Sequence, residues 1–173
     1  RESVEKRMVS DVSLGTFLSG GIDSSVITAL ASEMTPQLNT YSVGFKDEPL
    51  FDETSYAQLV AKKYKTNHTV FSLANQDLLD ELQSFLDYCC EPFADSSALA
   101  VNALCKKTTQ DLTVALSGDG ADELFSGYHK HLAELMVRQG GVKNKIIKSG
   151  SGLWEVLPKS RNSKLGNLTR KLD

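Results

Sequence analysis

Four short runs rich in apolar and β-branched residues punctuate this chain: Val12 to Leu18, Thr40 to Phe45, His68 to Ser72 and Thr113 to Leu116. Stretches with helical spacing separate them, and no hairpin signal joins any two neighbours. Strands that cannot turn straight back must pair in parallel through crossovers, so the pattern predicts an α/β domain, a parallel twisted sheet flanked by helices. Helices are expected at Ser24 to Met34, Thr54 to Tyr64, Leu78 to Cys89 and Ala98 to Thr108, with Arg1 to Ser10 the tail of a surface helix. Thr35-Pro36 breaks the first of these, because proline disfavours helical geometry in the residue before it. Tyr56, Leu59, Val60 and Lys63 mark the helical spacing of the second. Leu78, Leu79, Leu82, Phe85, Leu86 and Cys89 give the third an amphipathic pattern, with Cys89 and Cys90 expected as packing residues. The fourth strand is apolar enough to be predicted as buried. In such sheets ligands gather beyond the carboxyl ends of the strands.

The first of those ends carries Ser19-Gly20-Gly21-Ile22-Asp23-Ser24-Ser25. Adjacent glycines let a ligand approach the backbone amides, and the helix that follows presents unpaired N–H groups at the positive end of its dipole. The site favours an anion, most naturally a phosphate. It is not a Walker loop, since no lysine occurs between Arg7 and Lys46, and Gly20-Gly21 lacks the dinucleotide spacing. Asp23 inside an anion site is reconciled most simply by a divalent cation. A plain tight turn with Asp and Ser capping the helix is the alternative.

A second turn of the same kind follows the fourth strand: Ser117-Gly118-Asp119-Gly120-Ala121-Asp122-Glu123-Leu124-Phe125-Ser126-Gly127-Tyr128. Three acids crowd a helix start here. The helix dipole accounts for one or two of them, and a cation would neutralise the set. Glu91-Pro92-Phe93-Ala94-Asp95-Ser96-Ser97 interrupts the helices between the turns, where Asp95 or Ser96 could equally serve as a cap.

The 173 residues suffice for one domain with a sizeable core, and a net charge of −3 with no dominant basic face argues against a nucleic-acid surface. The mildly basic stretch from Lys143 to Lys171 reads as solvated surface. Cys89, Cys90 and Cys105 have no metal spacing, and an odd count suits a reducing compartment, hence the cytoplasm. No signal peptide or membrane-length apolar run appears. Residues 1–131 are expected as the domain core. Residues 132–173 are expected as its helical and loop continuation, truncated, within a fragment of a longer protein.

Ser19 to Ser25 resembles the pyrophosphate loop of the N-type ATP pyrophosphatases. Within that group Ser117 to Tyr128, Val43-Gly44-Phe45, the Asp52-Glu53 helix entry and Glu91 to Ser97 are similar to the signatures of the glutamine-dependent asparagine synthetases, over residues ~8 to ~130 in order. The resemblance implies a Rossmann-like, adenine nucleotide alpha hydrolase-like fold. It implies a ligase that uses ATP and Mg²⁺ to activate aspartate as β-aspartyl-AMP and then amidates it with ammonia from glutamine. Leu18, Val43 and Gly44 would meet adenine, while Ser19, Gly20, Gly21, Asp23, Ser24 and Ser25 hold the phosphates. Ser117 and Gly118 would line the nucleotide site, Asp119 and Asp122 would be catalytic, and Asp23 and Asp122 would bind the metal. Asp95, Ser96 and Ser97 would lie on the aspartate side. Asp119 stands where several members carry Glu, and the 95–99 segment lacks the Arg some members carry. The glutaminase domain and a later catalytic-Lys region of the family are absent from these residues. Aspartate and ammonia are thus the implied partners, with no nucleic acid or membrane, and a homodimer as the oligomer considered. Alternatives are a related amidotransferase or β-lactam-synthetase-like enzyme acting on another acid, and a non-catalytic adenine-nucleotide module.

Overall fold

The computed structural model describes residues 1–91, 95 and 97–139. The chain forms two compact units, Arg1–Gly120 and Ala121–Asp173. The first unit runs α1 (Glu2–Arg7), β1 (Leu14–Phe17), α2 (Ile22–Ser32), β2 (Asn39–Phe45), α3 (Thr54–Tyr64), β3 (Asn67–Leu73), α4 (Asn75–Tyr88), α5 (Ser97–Thr108) and β4 (Val114–Leu116). In the second, α6 (Ala121–Phe125) and α7 (His129–Gln139) lie within the described residues. The strands form one parallel sheet of order β3-β2-β1-β4, as the strand–helix alternation predicts. Its register sets Thr16 beside Thr40 and Leu116, and Thr40 beside His68.

Side-chain alternation divides the core between the two faces of the sheet. On one face Leu18 packs with Ala57, Ala61 and Val60 of α3, and Ala31 of α2 packs with Val4 and Leu38. On the other, Tyr41 joins Leu104 of α5, Leu112, Phe17 and Phe71. The first face also buries hydroxyls, which need partners there. The Thr16 and Thr28 hydroxyls pair at 2.9 Å and pin β1 to α2. Thr40 Oγ1 meets Thr66 Oγ1 and His68 Nδ1, each at 2.9 Å, while Ser42 Oγ lies 3.3 Å from His68 Nε2. Burial without a carboxylate neighbour lowers the His68 pKa below its ordinary value.

Several local expectations change. Helix α3 spans the predicted residues, yet its buried positions are Ala57 and Ala61, while Tyr56 and Leu59 are 62% and 65% exposed. The face that meets β1 needs small residues: a Cβ at Gly20 would lie 2.5 Å from Ala57 N and from Tyr56 Cβ. Helix α4 carries the predicted apolar pattern but fully buries none of it. Cys89 ends that helix half-buried, whereas Cys90 lies exposed beyond it and is not the packing residue expected. Strand β4 is not buried either; it is a three-residue strand at the margin of the sheet among the described residues, with Val114 exposed. The basic stretch from Lys143 onward lies outside the described residues.

Candidate functional site

Strand β1 ends at Phe17, and the Leu18 amide still donates to the Tyr41 carbonyl at 2.8 Å. Leu18 itself is 1% exposed, so the chain leaves the sheet from a fully anchored point. The turn that follows holds itself together through hydroxyls. Ser24 Oγ accepts the Ser19 N–H at 3.2 Å, pairs with Ser19 Oγ at 3.0 Å and donates to the Gly21 carbonyl at 3.3 Å. Ser19 Oγ in turn accepts the Gly21 N–H at 3.2 Å. Gly20 adopts φ 87°, a left-handed conformation that glycine takes without strain. Helix α2 starts at Ile22, two residues before the predicted start, with Gly21 as its N-cap and no side-chain cap. The capping alternative for Asp23 and Ser24 is therefore not what the turn uses.

What remains open at this turn suits an anion with a cation. The first-turn amides of α2 have no side-chain cap. Ser25 Oγ is buried without a hydrogen-bond partner among the described residues, the orphaned polar atom a ligand oxygen would satisfy. The Asp23 carboxylate is half-buried and unpaired among the described residues. No cluster of three or more His, Cys, Asp or Glu residues occurs among the described residues. A cation here would draw on one or two carboxylates and the ligand's own oxygens, the manner usual for Mg²⁺ beside phosphate.

The second turn reaches this place through Gly118. A Cβ on Gly118 would stand 2.8 Å from Ser24 N and 2.9 Å from the Asp23 carbonyl carbon, so only glycine lets the two backbones approach. Ser117 Oγ donates to Asp119 Oδ2 at 2.9 Å and fixes that carboxylate beside the turn. In the second unit, the Gly127 amide donates to the Asp122 carbonyl at 3.0 Å, and a Cβ on Gly127 would overlap the Asp122 carboxylate. Glu123 accepts a short hydrogen bond from the Tyr128 hydroxyl, which holds its carboxyl below the usual range. That pairing went unread because a five-residue separation with a turn between has no helical or strand period to betray it.

Beside the first glycine turn, a cleft of about 210 Å³ opens at the carboxyl ends of β1 and β2. Leu18, Ser19 and Val43 line it, as do Phe45, Phe51, Glu53 and Thr54. The structure thus brings Leu18, Ser19 and Val43 to the lining of one cleft, with Gly44 next along β2. Asp95 accepts the Ser97 N–H at 2.9 Å before α5, which keeps its carboxyl below the ordinary range and makes it a helix-entry acid. Ser96 lies outside the described residues.

Asparagine synthetase (glutamine-hydrolyzing) 1 of Bacillus subtilis is 38% identical over 137 residues, 79% of this chain and 22% of that protein. A putative asparagine synthetase (glutamine-hydrolyzing) 2 of Methanocaldococcus jannaschii is 38% identical over 133 residues, 76% of this chain and 25% of that protein. The chain therefore spans about a quarter of the length of these curated relatives. Among solved structures, an NH3-dependent NAD synthetase from Campylobacter jejuni aligns at a TM-score of 0.44 and 13% identity, over 96% of this chain and 86% of that one. The family profile described as asparagine synthase matches residues 1–172. With relatives at this identity and a profile that covers nearly every residue, the chain belongs to the asparagine synthase family.

Proposed function

We propose that this chain is the ATP-using part of an enzyme that makes asparagine from aspartate. The observation that carries the reading is the juxtaposition of two glycine turns at the end of β1: an uncapped helix start with an unpaired Asp23, and Gly118 backed directly against it. The α2 amides and Ser25 hold the pyrophosphate end of ATP, and Leu18 and Val43 bracket the adenine. An oxygen of the aspartate side-chain carboxylate attacks the α-phosphorus, the bond to pyrophosphate breaks, and β-aspartyl-AMP forms. Ammonia then attacks the acyl carbon, AMP leaves with the C–O bond electrons, and the nitrogen sheds a proton. Asp23 would hold Mg²⁺ in this unit, and Asp122 keeps the metal role its motif implies. When bound, Mg²⁺ neutralises charge that builds on the departing pyrophosphate. The amides' part is positional: they are fixed before the reaction, so little reorganisation opposes it. In the whole protein, ammonia would come from glutamine, which the relatives' names describe as hydrolysed, and a separate N-terminal glutaminase domain would carry out that step.

The test is aspartate-dependent exchange of labelled pyrophosphate into ATP by the protein that carries this chain, wild type beside Asp122→Ala. Exchange that requires aspartate and disappears in the variant is the expected result. Exchange with another acid instead would keep the chemistry and replace the substrate, and ATP binding without exchange would leave a nucleotide module.

A further inference from the structure

We propose that the groove between the end of α3 and the start of β3 binds a phosphoryl dianion. It lies at the opposite end of α3 from the cleft beside the first glycine turn, which Thr54 lines. The groove holds about 430 Å³, and Gln58, Lys62, Lys65, Thr66 and His68 line it. No carboxylate stands among the described residues that do so. Lys62 and Lys65 have no ion pair or hydrogen bond among the described residues, nor has the Gln58 amide. Arg1, Lys6, Lys106 and Arg138, by contrast, each meet a carboxylate within 2.9 Å. Two positive charges thus border one depression whose described lining offers nothing to compensate them.

Lysines at a helix end ordinarily answer the negative end of its dipole. Lys62 and Lys63, in the last turn of α3, fit that account. Lys65 asks for more. It stands at the C-cap with φ 53° and ψ 41°, a left-handed place where glycine is the usual occupant and a side chain costs energy. The backbone there is already served, since the Ala61 carbonyl accepts both the Lys65 N–H and, at 3.0 Å, the Thr66 N–H. What lysine adds over glycine is an ammonium at the groove. The floor is fixed without any ligand: the Thr66 hydroxyl pairs with Thr40 Oγ1, and the two ring nitrogens of His68 lie against the Thr40 and Ser42 hydroxyls. Burial lowers the His68 pKa, so its ring brings no charge at neutral pH and the attraction falls to the lysines. Ammonium groups are compact point charges without the planar fork that suits a carboxylate. Two of them, with an amide donor beside them, match a tetrahedral dianion that offers oxygens on several sides. That is a phosphoryl group, free or carried by a small ester.

Histidine-ring NMR on the protein that carries this chain tests this, because His68 lies in the groove and away from both glycine turns. Its signals are assigned by their loss in His68→Gln. Inorganic phosphate, glycerol phosphate and succinate are titrated at one slightly alkaline pH and constant ionic strength. Wild type should show a saturable His68 shift with phosphate or the ester. Lys65→Gly should weaken that binding by about tenfold while raising the denaturation midpoint, because glycine suits the left-handed backbone. No folding defect produces that pair of changes. Lys62→Gln should weaken binding to a similar degree. Lys63→Gln removes the same charge from a lysine that lies over the Tyr64 ring at 5.6 Å, and should alter binding by less than about twofold. Tighter binding of the ester assigns the groove to a phosphorylated small molecule, and tighter binding of phosphate assigns it to the free ion; either supports the proposal. A flat His68 titration with both, equal binding of succinate, or equal losses in Lys63→Gln and Lys65→Gly overturns it.

Discussion

The two glycine turns differ in what holds them. The first hangs from a fully buried residue, Leu18, and its hydroxyls are spent on one another, with Ser24 accepting and donating within the turn. The second follows a three-residue strand at the margin of the sheet among the described residues, and Ser117 to Gly120 is exposed but for Gly118, which backs onto the first turn. The first turn is held by its own hydroxyls, whereas the second carries its carboxylates on a more exposed segment. On the function proposed above, rigidity belongs where the phosphates must find fixed donors. A looser segment is enough where the contribution is charge, since charge acts over a longer reach than a hydrogen bond.

Glycine substitutions break this contrast in graded fashion. Gly20→Ala combines a left-handed backbone with overlap onto the Tyr56 and Ala57 backbone, and should cost about 3 kcal/mol or more in chemical denaturation. Gly118→Ala has no left-handed φ but clashes with the Ser24 N, the Asp23 carbonyl carbon and Asp23 Cβ, and should cost about 2 kcal/mol while abolishing ATP binding. Gly120→Ala shares the 87° φ of Gly20 but has open space around it, so about 1 kcal/mol is expected and ATP binding should survive. Equal losses at Gly20 and Gly120 would show that the first turn is no more anchored than the second.

Ser24→Ala removes the centre of the hydroxyl network and should destabilise by about 1–2 kcal/mol, with weaker ATP binding in a calorimetric titration. Gly127→Ala sharpens the comparison from the other side. It should displace the Asp122 carboxylate and erase aspartate-dependent pyrophosphate exchange, while the denaturation of Arg1–Gly120 stays within about 0.5 kcal/mol of wild type. The smallest effect lies away from both turns. His68 has a pKa below its ordinary value of about 6.5, so the unfolded chain takes up a proton first as pH falls. Stability is full above that value and declines as pH drops from it toward the folded pKa; His68→Gln should flatten this slope in denaturation midpoints taken between pH 7.5 and 5.

The parallel sheet and the strand–turn–helix at its first strand were legible because each rests on local chemistry: strand runs without hairpin signals, and small residues at a strand-to-helix junction. Burial was less so. In α3 the periodic large residues Tyr56 and Leu59 pointed to the wrong face, because the close approach of Gly20 demanded alanines. The start of α2 moved to Ile22 because Gly21 caps through backbone geometry, which no side chain advertises. The sequence marks Asp52-Glu53 only as a helix entry; that Asp52, not Glu53, holds the Thr54 amide emerges only from the hydrogen bond itself.

The sheet's outer margin on β3 has a practical consequence. Among the described residues β3 bonds only to β2, and its seven residues, Asn67 to Leu73, include neither lysine nor proline. Proteins commonly guard such margins with charge, bulges or brevity. Strand β4 has brevity, and β3 has none of the sequence guards. During purification or heating, β3 is where a second molecule would find a ready template, so a lysine introduced at exposed Ser72 is the natural first step toward a better-behaved sample.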